Sequence, residues 1–284
     1  MRRSMVLAII ASTLACGALA ASASAASTSQ PKLPKPSWYT PELHQRILAA
    51  GSQGVAVGEE RLNIECPGVH VGGVQAAGCI VAPAGCTANF IFGGAGNWHV
   101  GTARHCVGGV GDELVMQVDS VTLASVGTVV SHTSGEGEPG NDFALIRIDP
   151  GVAAKWGVTP AIPVIGGPNG VYTGCGPTPV LHFGHGYGVA VAQGKPEAGI
   201  AADWSDDAYA WAGFGLPGDS GSPVITAGGQ AAGNFTHLVV GGFAGNLAGM
   251  RATRMIEVAG LPIVNANGST SGGAGTNCGG GLLG

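Results

Sequence analysis

Three short motifs carry side chains whose types suit nucleophilic attack on a carbonyl carbon. T-A-R-H-C contains His105, G-N-D-F-A-L-I places Asp142 at the start of an apolar run, and G-D-S-G-S-P sets Ser220 between glycines. A serine hydroxyl is a poor nucleophile at neutral pH and needs an adjacent base to take its proton. Histidine has a pKa near neutrality, and a carboxylate on its second ring nitrogen fixes the required tautomer. The three side chains are therefore a candidate nucleophile, base and orienting acid.

Each of these residues also has an ordinary interpretation. Acids are common at turns and strand ends, so Asp142 by itself could be a structural residue at the start of a strand. The rival acids, none of which begins an apolar strand in the same way, are Asp149, Asp206 and Asp207. His182 and His185 stand three residues apart, and on a strand this odd spacing directs them to opposite faces. The sequence therefore predicts no metal site at these two histidines.

The motifs, in this order, resemble those of the chymotrypsin-like serine peptidases. The stretch from Cys86 to Cys106 is most similar to the disulfide-closed segment of the secreted bacterial branch, the streptogrisin and α-lytic protease group. V-G-G-V at residues 71–74 resembles that branch's mature amino-terminal signature. The resemblance covers about residues 70–262. It implies an all-β fold of two six-stranded antiparallel Greek-key β-barrels with a C-terminal helix.

The same resemblance implies a mechanism and a set of partners. Ser220 would attack the peptide carbonyl, His105 would shuttle the proton, and Asp142 would orient His105. The N–H groups of Gly218 and Ser220 would bind the oxyanion, and no metal or organic cofactor would be needed. We expect a monomeric, secreted endopeptidase that acts on proteins or peptides. The alternatives are a non-catalytic binding protein of the same fold and an esterase that uses the same triad.

Substrate contacts follow from the resemblance as well. Phe214 occupies the position, six residues before Ser220, where trypsin-type members carry an aspartate that binds Lys or Arg. A cationic side chain would find no buried partner beside Phe214, which favours an apolar or small residue before the scissile bond. Val240, Gly241 and Gly242 resemble the backbone segment that pairs with an extended substrate.

Asp219 matches a family aspartate that is buried and paired with an arginine or with a newly formed amino terminus. The segment 177–182 holds no arginine, and His182 is its nearest candidate cation. We therefore expect Asp219 to pair with His182 or with an amino terminus created near residues 69–71.

The cysteines predict disulfides. One of the seven, Cys16, lies in the predicted leader, and the other six are Cys66, Cys79, Cys86, Cys106, Cys175 and Cys278. An even number in an exported chain indicates disulfides, whose pairing the spacing alone leaves open. No C-x₂₋₄-C pair exists to begin a zinc site. The family resemblance implies the pair Cys86–Cys106, proximity favours Cys66–Cys79, and Cys175–Cys278 then follows by elimination.

The N-terminal residues have the pattern of a secretory signal. Arg2 and Arg3 precede a short apolar run, and small residues suited to cleavage follow up to Ala25. The run is too short to span a membrane, and no other segment is apolar enough, so no membrane association is expected once the signal is cleaved. The predicted divisions are a signal at 1–25, a pro-segment or N-terminal extension at 26–69, a peptidase domain at 70–264 with barrels at about 70–160 and 170–250, and a glycine-rich tail at 265–284.

Composition agrees with this organisation. Charged residues make up 10% of the chain, the net charge is −5, and Lys and Arg do not cluster, which argues against a nucleic-acid partner. Hydrophobic residues make up 45%, enough for a core. The 52 glycines suit an all-β protein rich in tight turns.

Short apolar runs separated by Gly, Pro and Asp predict the strands that position the motifs. The runs are 87–92, 98–102, 114–118, 121–130, 143–148, 188–193, 222–227 and 237–243. A helix is predicted from Pro41, capped by Thr40 and ended by Gly51, as the only helix before the C-terminal region. A second helix is predicted within 250–261.

Overall fold

Two curled antiparallel sheets dominate the computed structural model, which describes residues 27–135, 137–187, 196–240, 245–273 and 275–279. The predicted leader, the strand at 188–193, and Gly241 and Gly242 lie outside the described residues. No helix among those described is long and apolar enough to cross a membrane.

The strands are short and follow one another closely. In chain order they are β1 Ser27–Ser29, β2 Val55–Ala56, β3 Val74–Gln75, β4 Cys79–Ala82, β5 Cys86–Thr87, β6 Ile91–Gly94, β7 Asn97–Thr102, β8 Glu113–Gln117, β9 Thr122–His132, β10 Ala144–Ile148, β11 Val158–Thr159, β12 Thr178–His182, β13 Glu197–Trp204, β14 Ala208–Ala212, β15 Pro223–Thr226, β16 Ala231–Asn234, β17 His237–Val240, β18 Leu247–Met250, β19 Ile263–Val264 and β20 Thr270–Ser271. The helices are α1 Pro41–Ala50, α2 Glu59–Glu65, α3 Pro150–Trp156 and α4 Ala252–Ala259, with 3₁₀ turns at Gly51–Gln53, Arg104–Cys106 and Pro139–Asn141.

The first sheet closes into a barrel. Its order is β20-β19-β6-β7-β10-β9-β8-β4-β5, with β2 added beside β9. In this order β5 stands at one end, beside β4, and β6 stands near the other end, beside β7. Only residues 88–90 separate β5 from β6 along the chain. Ala88 N–H donates to Gly78 and Asn89 N–H donates to Gly101, so this connection bonds to both sides. Counted as one interrupted strand, β5 and β6 close a ring of six strands with β7, β10, β9, β8 and β4, and the short strands β2, β19 and β20 lie outside this ring.

The second sheet closes in the same way. Its order is β1-β17-β18-β14-β13-β12-β15-β16. Only residues 235–236 separate β16 from β17, and Phe235 N–H donates to Ser222 while Thr236 N–H donates to Ala248. β16 and β17 therefore also act as one interrupted strand, which closes a six-stranded barrel with β18, β14, β13, β12 and β15, and β1 is added outside it. The predicted fold class is confirmed, with α4 as the short C-terminal helix.

An apolar cluster between the barrels fixes their relative position. Phe92 and Phe143 from the first barrel have ring centroids 5.5 Å apart. They share this cluster with Phe183 and Met250 of the second barrel and with Met255 of α4. Fully burying each such side chain contributes roughly 1.5–3 kcal/mol, so the seam between the barrels is part of the core.

The helix predictions were partly right. α1 begins after Thr40, whose hydroxyl accepts the Leu43 N–H, and it ends before Gly51 as predicted. α4 falls within the predicted range. The prediction of a single helix before the C-terminal region was wrong, because α2 and α3 also form. Asp149 caps α3 and Pro150 starts it, which is the same local signature that identified α1.

The N-terminal extension packs on the first barrel. Tyr39, Leu43 and Ile47 from the α1 region share a buried cluster with Val115 of β8 and Leu123 of β9. A disulfide joins Cys66 to Cys79 at the start of β4. Cleavage near residue 70 would therefore leave this extension attached to the barrel.

Candidate active site

His105 and Asp142 meet because β7 and β10 are neighbours. His105 lies in the 3₁₀ turn after β7, and Asp142 lies two residues before β10, with Thr102 paired to Ala144. His105 Nδ1 is 2.7 Å from Asp142 Oδ2, and the His105 backbone N–H donates to Oδ1 at 3.1 Å. Both side chains are fully buried. This geometry assigns the ring proton to Nδ1 and leaves Nε2 to accept another proton.

Contacts with the first barrel hold the backbone of Ser220 close to the turn that carries His105. The Ser220 carbonyl oxygen accepts the Thr87 N–H at 2.9 Å and lies 3.6 Å from the sulfur of Cys106. Gly218 and Gly221, on either side, have φ of +101° and +90°, in the left-handed region that favours glycine. A Cβ on Gly221 would lie 2.2 Å from the carbonyl oxygen of Thr87, so only glycine permits this approach.

Ser220 and His105 are not joined by a hydrogen bond. Ser220 Oγ and His105 Nε2 are both buried, and neither has a hydrogen-bond partner among the residues that the structure describes. The structure thus joins His105 to Asp142 and holds the backbone of Ser220 against Thr87 and Cys106, the residue that follows His105. Burying a hydroxyl and a ring nitrogen without hydrogen-bond partners destabilises a fold, so such unpaired atoms call for a functional explanation.

One of the two predicted oxyanion donors, the N–H of Gly218, already makes a hydrogen bond within the chain. The Gly218 N–H donates a 2.7 Å hydrogen bond to the carbonyl oxygen of Pro31. The Thr87 hydroxyl donates to the carbonyl oxygen of Gly218 at 2.8 Å and accepts the N–H of His185, which orients this turn.

Asp219 does not form the predicted ion pair with His182. Its carboxylate accepts N–H groups of Gly186, at 2.6 Å, and Leu216, at 2.8 Å, while His182 is paired with Glu197 at 3.2 Å. Burial raises the pKa of Asp219, although the charge of His182 opposes this. Burial alone would lower the pKa of His182, but its contact with Glu197 and the charge of Asp219 leave that pKa raised. Backbone donors thus take the place expected for a cation.

Two of the predicted substrate contacts have exposed side chains, although the backbone of Val240 is paired with β1. The side chains of Phe214 and Val240 are 46% and 68% exposed, so both are accessible to another chain. The Phe214 carbonyl oxygen lies 2.8 Å from Nε2 of His182, which fixes the backbone at that point.

Two residues that support Asp142 were missed by sequence reasoning. Asn234 on β16 donates its side-chain N–H to the Asp142 carbonyl oxygen at 3.2 Å. His237 on β17 has Nδ1 3.9 Å from Asp142 Oδ2 and meets the His105 ring in a T-shaped contact, with centroids 6.4 Å apart. No spacing signal links them to Asp142, because barrel closure brings β16 and β17 to it.

The cysteines form disulfides and not a metal site. The structure forms Cys86–Cys106, Cys66–Cys79 and Cys175–Cys278, the three pairs predicted. Within the described part of the chain, Cys86, Cys106 and His105 place potential ligand atoms within 4.8 Å of one another. Both sulfurs belong to one disulfide, so they are not thiolate ligands and this group is not a metal centre.

Comparison with known proteins found similarity only at the level of structure. No family model matches this chain, and no curated protein matches it. Protease A of Thermobifida fusca is 18% identical, with a TM-score of 0.43, over 67% of this chain and 98% of that one. A glutamic-acid-specific serine protease, described as using a histidine triad in substrate binding, is 18% identical with a TM-score of 0.46, over 67% of this chain and 100% of that one. An α-lytic protease homologue, N4, is 18% identical with a TM-score of 0.45, over 66% of this chain and 98% of that one.

Proposed function

We propose that this chain is a secreted, monomeric serine endopeptidase of the chymotrypsin-like family. The observation that carries the proposal is the buried pair of His105 and Asp142, at 2.7 Å, beside a serine in a glycine-flanked turn. The peptidase domain is proposed to span residues 70–264, with the signal at 1–25 removed on export and the tail at 265–284 outside the catalytic unit.

In the proposed reaction, Ser220 Oγ attacks the substrate carbonyl while His105 Nε2 takes the hydroxyl proton. Asp142 keeps the other ring proton on Nδ1 and stabilises the imidazolium that forms. The N–H groups of Gly218 and Ser220 bind the oxyanion, and losing one such donor typically costs about 2.7–4 kcal/mol of transition-state stabilisation. His105 then protonates the leaving amine, and water releases the acyl group by the same steps in reverse.

Specificity is proposed to favour an apolar or small residue before the scissile bond. Phe214 offers an aromatic surface, and no carboxylate stands at that position to pair with a substrate Lys or Arg. Peptides with Leu, Phe or Ala at this position are expected to be cleaved faster than the matching Arg peptide. Faster cleavage of the Arg peptide would contradict this part of the proposal.

The central test is covalent labelling of the serine. A fluorophosphonate probe should modify the wild-type protein at Ser220, as identified by peptide mass spectrometry, and Ser220→Ala should abolish both labelling and peptide hydrolysis. Ser131→Ala, which removes a hydroxyl on β9, is the matched control and should leave both intact. A folded protein that neither reacts nor hydrolyses peptides, whether it begins at residue 26 or at residue 34, would indicate a binding protein. Cleavage of esters without peptides would indicate an esterase.

A further inference from the structure

Residues 27–33 of the chain lie along the candidate active site. β1 pairs antiparallel with β17, with Ser27 opposite Val240 and Ser29 opposite Leu238. Val240 begins the segment that is predicted to pair with an extended substrate. A peptide that adds a strand to an exposed sheet edge is held by main-chain hydrogen bonds, whatever its sequence. β1 therefore uses the edge that a substrate would use.

Beyond β1 the segment crosses from the second barrel to the first. The Pro31 carbonyl oxygen accepts the Gly218 N–H at 2.7 Å. Leu33 then forms two main-chain hydrogen bonds with Gly85, immediately before β5: its N–H donates at 3.0 Å and its carbonyl oxygen accepts at 2.9 Å. The segment is thus held on both barrels, with one carbonyl oxygen at the proposed oxyanion donor between them.

The side chains of this segment also fit the site. Pro31 is buried, whereas Lys32 is exposed and donates its ammonium to the His105 carbonyl oxygen at 3.0 Å. The residue whose carbonyl oxygen accepts the Gly218 N–H is therefore apolar, as the proposed specificity requires. Ser220 is fully buried in this state, so a competing peptide cannot reach its hydroxyl. Proline has no N–H to donate, so the ladder with β17 cannot continue through Pro31.

We propose that residues 27–33 form a tethered, substrate-like inhibitor, and that the chain which retains them is latent. The inference rests on the proposed peptidase function. Tethering gives such a segment an effective concentration on the order of millimolar, so weak contacts suffice to keep the cleft filled. The packing of α1 and the Cys66–Cys79 disulfide anchor the residues that follow, so the inhibitor stays attached to the first barrel.

The direct test compares two forms of the protein, one beginning at residue 26 and one at residue 34. Their rates of fluorophosphonate labelling at Ser220 and of hydrolysis of an apolar peptide are measured side by side. The form that begins at residue 34 should react on the order of 100-fold faster, because it lacks the competing segment. Ser220→Ala in each form gives the background.

Point variants test the same idea with the chain intact. Pro31→Asp places a carboxylate at a buried position and should release the segment and speed labelling. Pro34→Asp makes the same change at an exposed proline three residues later and should leave labelling slow. A synthetic peptide of residues 27–35 should inhibit the form that begins at residue 34, and the same peptide in reversed order should not.

The outcomes separate this inference from the proposed function. Equal labelling rates in the two forms, with Pro31→Asp no faster than wild type, would overturn the inhibitor while leaving the peptidase in place. No labelling in any form that has its three disulfides and a native circular dichroism spectrum would overturn the peptidase, and the inhibitor with it.

Discussion

Asp142 illustrates what one buried carboxylate can do for a neighbouring ring. It receives the His105 backbone N–H on one oxygen and the ring nitrogen on the other, so it sets both the position and the tautomer of the base. Asn234, from the other barrel, donates a hydrogen bond to the backbone carbonyl oxygen of Asp142. The acid is therefore supported from both barrels, whereas an ordinary acid at a strand start would face solvent.

Asp142→Asn should lower kcat by about 10,000-fold while preserving the fold, as expected when an amide donates to Nδ1 and reverses the tautomer. The measurement is kcat on an apolar peptide with the form that begins at residue 34, alongside thermal unfolding. Asp207→Asn, at a surface acid, is the matched control and should be neutral. Activity close to wild type in Asp142→Asn would remove Asp142 from the proposed triad.

At this scale the sequence predicted the residue types but not every partner. His105, Asp142 and Ser220 each stand in a motif whose local chemistry can be read from neighbouring residues. His237 and Asn234 stand in runs that resemble any other buried strand. Asp219 shows the opposite case: the sequence suggested a cation for it, and the fold satisfies it with the N–H groups of Gly186 and Leu216 instead.

Among the elements, the turn that carries Ser220 is the most constrained. The backbone at Gly221 has a left-handed φ, and a Cβ there would meet the carbonyl oxygen of Thr87 and the backbone nitrogen of Ala103. Both neighbours are backbone atoms of the first barrel, which cannot rotate away as a side chain can. The shape of this turn is therefore set by the contact between the barrels.

Gly221→Ala should cost about 1–3 kcal/mol of unfolding free energy from backbone strain alone and should also displace Ser220. Urea unfolding and peptide hydrolysis measure the two effects. Gly94→Ala is the matched control, because a Cβ there meets nothing within 4 Å, and it should leave both properties unchanged. A Gly221→Ala protein with wild-type stability would show that the turn relaxes freely.

Elements with a local signature were predicted well, and those that depend on pairing were not. Thr40 and Pro41 identify α1 because capping is decided within one turn of helix. The runs near 98–102 and 143–148 became β7 and β10 because each is rich in the aromatic and β-branched residues that favour strands. β13 consists largely of Ala, Gly and acidic residues, and β16 has only Ala, Gly and Asn, so both gain their strand structure from neighbours.

Across the whole molecule, His185 joins three regions. It follows β12 of the second barrel, yet its Nε2 lies 2.7 Å from the Ala77 carbonyl oxygen and its Nδ1 lies 3.0 Å from that of Pro67. Ala77 lies between β3 and β4, and Pro67 lies in the N-terminal extension. Burial lowers the pKa of His185 to about 4.

This shift predicts a pH dependence of stability. Because the folded pKa lies below that of the unfolded chain, the unfolded state takes up the proton first on acidification. The contribution of His185 is therefore intact above about pH 6.5 and is lost as the pH falls toward 4, by about 3 kcal/mol at most. His182 has a raised pKa and acts in the opposite direction, so the effect must be isolated by mutation.

The comparison is the free energy of unfolding of wild type and His185→Gln between pH 4 and 7, in urea. Wild type should lose stability relative to the variant as the pH falls through this window, whereas His132→Gln, on β9, should parallel wild type. A difference between wild type and His185→Gln that stays constant with pH would contradict the prediction.

The sequence by itself predicted the fold class and identified the candidate nucleophile, base and acid. Nucleophile, base and acid lie in short motifs, and glycine-punctuated apolar runs permit little besides short strands and tight turns. Only the tertiary structure decided which long-range contacts form: barrel closure brings Asn234 and His237 to Asp142, and backbone donors satisfy Asp219. It also placed residues 27–33, a Ser- and Pro-containing stretch with no pattern of its own, against β17, Gly218 and Gly85. Main-chain hydrogen bonds to a sheet edge hold that segment, and because every residue except proline offers the same donor and acceptor, such pairing leaves no signature in the sequence.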